Sequence, residues 1–339
     1  FFAGTRYASS GTEPWVSDGT PAGTLLLGDL NLGYDSSRPD YFVAAGTYTF
    51  FVANDGVSGK EWWRSDGTPA GTAHLPELMP GPSGSDPVPV GMINGQLVFF
   101  AQTPASGWEP MALNPTTLAV NLLADTYPGT TGGFYNDYNL HFYHTTDRAF
   151  LWSAASAPAG GLWFTDGTPG GTRKVAGPDL GTIADFSKQD GGAFAGSRFL
   201  FAARGYQGGY YQDLEPWISD GTVAGTMLLT NIMPDLGGGY GAGSSPANFT
   251  AMSNNIVLFT AYEPAGGREL WRSDGTPTGT YQLGDLRPGS RSPLVQQLTS
   301  ANRVAYFTAY TEESGRELWV TDGTVIGTHQ VEDLNPGPQ

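Results

Sequence analysis

The chain is a succession of short runs rich in β-branched and aromatic residues, broken every few residues by Gly, Pro, Asn or Asp. Residues 247 to 286 show the pattern most clearly. Ala247 to Met252 reads as one strand, Asn254-Asn255 as a turn, and Ile256 to Ala261 as a second strand. After a loop, Glu269 to Ser273 forms a third strand. The Asp274-Gly275-Thr276 turn then leads into a fourth, Thr280 to Leu286. Pro288-Gly289 opens the link to whatever follows. Runs of this length and composition between such punctuators indicate strands. Gly supplies positive φ, and the Asp side chain accepts hydrogen bonds from backbone N–H groups two residues on. No stretch carries the 3.6-residue apolar period of a long amphipathic helix.

This four-strand unit recurs. Glu13-Pro14-Trp15-Val16-Ser17-Asp18-Gly19-Thr20 returns as Glu61-Trp62-Trp63-Arg64-Ser65-Asp66-Gly67-Thr68, and again around Asp166, Asp220, Asp274 and Asp322. A degenerate copy at Glu109-Pro110-Met111 places Asn114 where the others have Asp. The seven anchors, at 18, 66, 114, 166, 220, 274 and 322, are 48, 48, 52, 54, 54 and 48 residues apart. A repeat of this size cannot bury both faces of its own sheet, whereas radial packing of several does so and protects the edges. The sequence therefore predicts an all-β, seven-bladed β-propeller of four-stranded antiparallel blades, spanning 1–339 as a single domain. The opening Phe1-Phe2-Ala3-Gly4 matches a second strand, like Phe99-Phe100-Ala101. The first blade is thus expected to lack its inner strand, to be supplied by residues outside this sequence or by another chain, or to remain three-stranded.

The Glu-Leu-Trp-x-x-Asp-Gly-Thr string, verbatim at Glu269 to Thr276 and Glu317 to Thr324, resembles the ELWxxDGT-repeat proteins of bacterial exported proteomes. The resemblance covers essentially the whole chain. It implies an extracellular or cell-surface propeller whose signal peptide has been removed, and it brings no catalytic residues with it. The Ser-Asp-Gly-Thr turn also looks like the Asp-box of sialidase-type propellers, a structural element there.

Charge narrows the partners. The net charge is −16, so the surface repels nucleic-acid phosphates and anionic lipid. No apolar run approaches the ~18 residues of a membrane span. The absence of cysteine removes disulfides and thiolate chemistry.

In an up-and-down blade the connections alternate between two ends. The three-to-four turns are nearly uniform here, while the two-to-three loops and the inter-blade links vary, as at 127–139, 204–211 and 235–245. Variable loops on a rigid scaffold commonly carry function. These contain Tyr135, Tyr138, Tyr206, Tyr210, Tyr211 and Tyr240, with Trp108 on the adjacent loop. Tyr offers a flat apolar ring and a hydroxyl at low entropic cost, which suits protein or glycan contacts. The alternative is that these aromatics pin their own loops. The favoured reading is a non-enzymatic extracellular binding or assembly propeller, a component of a larger extracellular assembly. A carbohydrate-active enzyme (a glycoside hydrolase or polysaccharide lyase on the same face) is the alternative, and a structural domain of a longer adhesin is a third.

The repeated residues invite chemistry but fit structure better. Trp15, Trp63, Trp163, Trp217, Trp271 and Trp319 occupy one position per unit, as expected of blade-to-blade packing. Glu13, Glu61, Glu109, Glu215, Glu269 and Glu317 precede them, and six equivalent copies fit a repeated hydrogen bond or ion pair better than one catalytic site. His141 and His144 lie three apart in a predicted strand and so point to opposite faces. His74 and His329 fall at one repeat position in different units, which leaves no cluster for a transition metal.

A second acidic series, Asp29, Glu77, Asp125, Asp285 and Asp333, lies 11 residues after its anchors, at the end of strand four. Carboxylates there either hold Ca²⁺, a hard cation that takes oxygen ligands, or bond the inter-blade turn. No other cofactor is implied. On the calcium reading, EDTA lowers the melting temperature of a Ca²⁺-loaded sample, because a ligand of the native state stabilises it by mass action. On the turn reading the melt is unchanged.

Overall fold

A computed structural model describes every residue except 7–9, 131, 135–140, 154–159, 178–182, 187–190, 208–209, 234–242, 264–266, 335 and 338–339. Side chains at 6, 10, 183–186, 206–207 and 210–212 are likewise not described. Seven antiparallel sheets follow one another along the chain, with no helix among the described residues. They are the blades of an all-β, seven-bladed β-propeller. Each anchor of the sequence repeat falls at the turn into the last strand of its own sheet. The chain divides into two compact units, Phe1–Arg173 and Lys174–Gln339. The boundary lies at the start of the fourth sheet's last strand, Arg173–Ala176.

Five sheets have the four strands expected. The first has three, Phe2–Arg6, Ser10–Val16 and Leu25–Leu26, as the missing inner strand foretold. The fifth has five, because two separate segments, Ile183–Phe186 and Gly192–Ala195, both pair with the long strand Arg198–Gln207. Fourth strands are shorter than expected. In the sixth sheet only Tyr281–Gln282 pairs fully, because Gly284 adopts a φ of 126° and turns the chain out of the ladder.

Second strands are apolar on both faces, as strands covered on both sides should be. Phe50, Phe51, Val52 and Ala53 are all buried, and so are Phe99 and Phe100, Phe199 to Ala203, and Val257 to Phe259. Within the first unit, one cluster joins Phe50, Val52 and Trp62 of the second blade to Leu97, Phe99 and Met111 of the third. Within the second unit, another joins Leu258 and Leu270 of the sixth blade to Phe307 and Ala309 of the seventh. The repeated Trp belongs to this packing. Trp271 stacks on Phe259 at 6.4 Å between ring centroids and packs with Ile232 of the preceding blade.

The Asp turn closes each fourth strand in the same way. Asp66 Oδ1 accepts the Thr68 N–H at 2.9 Å and the Thr68 hydroxyl at 2.7 Å, while Ser65 and Thr72 hydroxyls meet at 2.7 Å. These donors hold the Asp66 carboxyl below the ordinary carboxylate range. The degenerate third turn keeps the essential contact: Asn114 Oδ1 accepts from the N–H groups of Thr116 and Thr117. His74 and His329 prove not to be equivalent. His74 pairs with Trp63, whereas His329 pairs with Val320 beside a register shift, and Gln330 faces Trp319 instead.

The largest repeated polar feature is the buried glutamate. Glu61, 1% exposed, accepts the N–H groups of Leu78, Met79 and Ser85 and the Ser85 hydroxyl. All four donors lie on the link to the third blade. Glu13 does the same with Leu30 and Ser37, Glu109 with Thr126, Tyr127 and Gly133, and Glu215 with Ile232, Met233 and Ser244. The expectation of a repeated hydrogen bond is met.

Two stability predictions follow from these contacts. Glu61→Ala leaves buried N–H groups of the link without an acceptor, at about 1–3 kcal/mol for each group that water cannot reach. A loss of about 3 kcal/mol in urea unfolding is expected, and one under about 1 kcal/mol would contradict the latch. Gly71→Ala places a Cβ 2.0 Å from Asp66 Oδ1. It should cost about 2 kcal/mol by dislodging the carboxylate from its turn, and a melting temperature equal to wild type would show that the turn yields freely.

Candidate functional site

The variable connections differ from expectation in form. Residues 204–207 and 210–211 belong to the paired strands of a long hairpin, not to a free loop: Arg198–Gln207 pairs with Tyr210–Ser219, bringing Tyr206 opposite Tyr211 and Gln207 opposite Tyr210. The ladder is carried past Gly205 by a register shift between Arg204 and Tyr206, which lets both strands run to 10 residues. Three tyrosines of the set, Tyr206, Tyr210 and Tyr211, therefore share one hairpin end. Tyr135, Tyr138 and Tyr240 lie outside the described residues. Trp108 stands in the strand Gly107–Leu113, not on a loop, and packs against the buried cluster of Phe100, Phe134 and Leu151. Its backbone bridges to Gly132, where a Cβ would meet the Trp108 nitrogen at 2.1 Å. That close approach ties the Gly132-Gly133 link to the third blade.

The second acidic series is divided among blades. Asp29 and Glu77 each bond the turn that follows: Asp29 Oδ2 accepts the Gly33 N–H and Glu77 Oε2 the Gly81 N–H, both at 3.2 Å. Asp125 occupies the corresponding place in the third blade. Asp285 and Asp333, from the sixth and seventh blades, come together as walls of one open cleft of about 660 Å³ within the second unit.

This cleft is open and lined largely by polar groups. Its floor and walls are Asp285, Leu286 and Pro288 from the link, Glu312 and Glu313 from the hairpin tip, and Trp319 and Gln330 from the outer strands of the seventh blade. Glu312 is the fixed wall. It accepts from Arg287 at 2.5 Å and from Arg291 at 3.2 Å, and the two guanidinium groups hold its carboxyl below the usual range. The Arg287 guanidinium also lies 4.6 Å over the Tyr310 ring and bonds the Ser292 carbonyl. The hairpin tip is thereby fastened to the link. Sequence reasoning missed Glu312, Glu313 and Trp319 as neighbours because they come from a two-to-three loop and a third strand that only the blade topology brings beside the link. The signal that was available is Arg287 and Arg291, two cations in a link of a chain with few.

The repeated glutamates have the opposite character. Burial pushes the carboxyls of Glu61, Glu109 and Glu215 up, and the donors on the links oppose it. Each is at most 3% exposed. They hold links in place and cannot touch a substrate.

No protein-family model matches the chain, and no curated protein matches it. Solved structures do resemble it. One is the β-propeller domain of the Trilobed protease from Pyrococcus furiosus, 11% identical over 86% of this chain and 84% of that one, with a TM-score of 0.35. Another is an acylaminoacyl peptidase of Pyrococcus horikoshii, 12% identical over 86% of this chain, with a TM-score of 0.35. The chain spans only 45% of that peptidase's length. A third is an oligogalacturonate lyase in complex with manganese, 12% identical over 86% of this chain and 77% of that one, also with a TM-score of 0.35. At these identities and TM-scores, none of the neighbours' activities carries over to this protein.

Proposed function

We propose that the chain is a non-enzymatic binding or assembly propeller, extracellular or at the cell surface, which offers its variable face to a protein or glycan partner. One observation carries the reading. The glutamates that the repeat supplies are buried and bonded by link N–H groups, with Glu13, Glu61, Glu109, Glu215, Glu269 and Glu317 all between 0% and 4% exposed. What remains for a partner is the Tyr206/Tyr211 hairpin end and the acidic cleft of the sixth and seventh blades. A net charge of −16 favours partners that bring basic groups, through complementarity and faster encounter. The resemblance to exported ELWxxDGT-repeat proteins supports the location.

The second reading, a carbohydrate-active enzyme, draws on the same cleft, where Asp285, Glu313 and Asp333 flank Trp319. Glycosidic cleavage needs a pair of carboxyls set for acid and nucleophile or base work. Incubation with a panel of neutral and acidic polysaccharides separates the readings. Retention on an immobilised glycan or none at all, with no release of reducing ends or unsaturated products, is expected. Product release that disappears in Asp285→Asn/Asp333→Asn would overturn the binding reading. For a glycan that is retained, replacing Tyr206, Tyr210 and Tyr211 together with Ala should abolish retention at an almost unchanged melting temperature. A large fall in that temperature would instead place the three rings in the hairpin's own packing.

A further inference from the structure

The sixth blade breaks the glutamate latch. In the first, second and fifth blades the farthest donor is a serine, Ser37, Ser85 or Ser244, which gives both its N–H and its hydroxyl to the carboxylate. The same serine's carbonyl accepts an N–H from the end of the second strand: Ser37 from Asn54, Ser85 from Gln102, Ser244 from Tyr262. In the link after the sixth blade, Tyr310 donates to the Pro293 carbonyl at 2.6 Å. Pro293 therefore stands where the serine stands. It keeps the carbonyl half of the latch and has neither the N–H nor the hydroxyl.

Among the described residues Glu269 is left with one hydrogen bond, from the Leu286 N–H to Oε2 at 3.2 Å. Its Oε1 is buried with no hydrogen-bond partner among the described residues, and the side chain is 0% exposed. The charged groups that face it make matters worse. Asp285, at the end of the fourth strand, and Glu263, beyond the second strand, are both acidic and both oppose a charge at Glu269. The nearby cations are engaged elsewhere: Arg268 lies over Tyr262 and bonds Thr260, and Arg287 is held by Glu312 and the Ser292 carbonyl. Ser292 Oγ accepts the Arg268 N–H, and among the described residues no serine hydroxyl reaches Glu269.

We infer that Glu269 is carried as the neutral acid, and that its ionisation is a built-in alkaline release for the link Asp285–Pro293, which walls the cleft. Burial, then the two neighbouring carboxylates, push its carboxyl up to about 8. An unpaired charge there has no donors to replace water, so the link that supplies Leu286 must shift to admit water. Asp285, Leu286 and Pro288 would move with it, and with them one side of the cleft. This inference concerns the fold and does not depend on what the cleft binds.

The sign follows from linkage. A carboxyl raised above its unfolded value of about 4.5 contributes stability that is fully present below that value and is lost as pH rises toward 8. Melting temperatures of wild type, Glu269→Gln and Pro293→Ser measured from pH 5 to pH 9 test it. Gln imitates the neutral acid, and Ser restores both donors. Both variants should match wild type near pH 5 and exceed it by on the order of 5 °C at pH 8.5. Trypsin cleavage after Arg291, compared at pH 8.5, should be several-fold slower in either variant than in wild type. The inference is overturned if both variants follow the wild-type curve, or if ¹³C-labelled glutamate carboxyls show none titrating above pH 6.5. Should Glu269→Gln fail to fold, Pro293→Ser and the carboxyl titration of wild type decide it.

Discussion

The fold depends on how a buried carboxylate is satisfied. Placing Glu61 or Glu215 at the base of a blade costs several kcal/mol of lost hydration. Three backbone N–H groups and a hydroxyl from the next link replace that water. The arrangement serves two needs at once. The link crosses from one blade to the next as irregular backbone, whose N–H groups would otherwise be buried without acceptors. One glutamate satisfies three of them and so fixes where the next blade begins. The fifth blade shows that geometry, not spacing, is conserved: the farthest donor is 24 residues on for Glu61 and 29 for Glu215, yet the same pair of bonds is made.

Much of this architecture can be read from the sequence because repetition does the reading. Seven anchors near 50 residues apart admit few folds, and the Asp-Gly-Thr turn carries its own mechanism in its residue types. The glutamate could be assigned to a repeated bond, but its donors could not be named. They are backbone groups, identical in every residue except Pro, and they sit 17 to 29 positions away with nothing in their side chains to mark Leu78 or Met79. The cleft was illegible for a related reason. Asp285 and Glu312 lie 27 residues apart, and only the order of strands in the seventh blade sets one beside the other. The hairpin of Tyr206 and Tyr211 reads as a loop in the sequence because Gly205 looks like a breaker, whereas a register shift between Arg204 and Tyr206 absorbs it.

Charge supplies the second constraint. A chain with net charge −16 must keep its carboxylates from destabilising one another. The Asp turns do so by surrounding each carboxylate with Thr and backbone donors, which holds Asp66, Asp220, Asp274 and Asp322 ionised. The glutamates do so by burial among link donors. Glu312 does so by a pair of arginines. The Asp turns and the buried glutamates are met chiefly by uncharged donors, which suits a chain with few cations, and Glu312 is the case where cations are spent.

A repeat also sharpens the meaning of exceptions. Where one copy departs from the others, the surrounding geometry states what the usual residue would have done, so the loss can be argued atom by atom. Asn114 departs from Asp and loses little, because its oxygen still accepts the N–H two residues on and takes the next N–H in place of the threonine hydroxyl. Pro293 departs from Ser and loses much, because both donors vanish while the carboxylate they served stays buried. The first change is neutral to the turn, whereas the second transfers an unmet electrostatic demand to the link. That link carries Asp285, Leu286 and Pro288, and the hairpin tip opposite is tied to it through Arg287. Glu269 thus stands behind a cleft whose walls come from adjoining blades, so the protonation of a residue that no partner can touch sets how firmly a surface that a partner can touch is held.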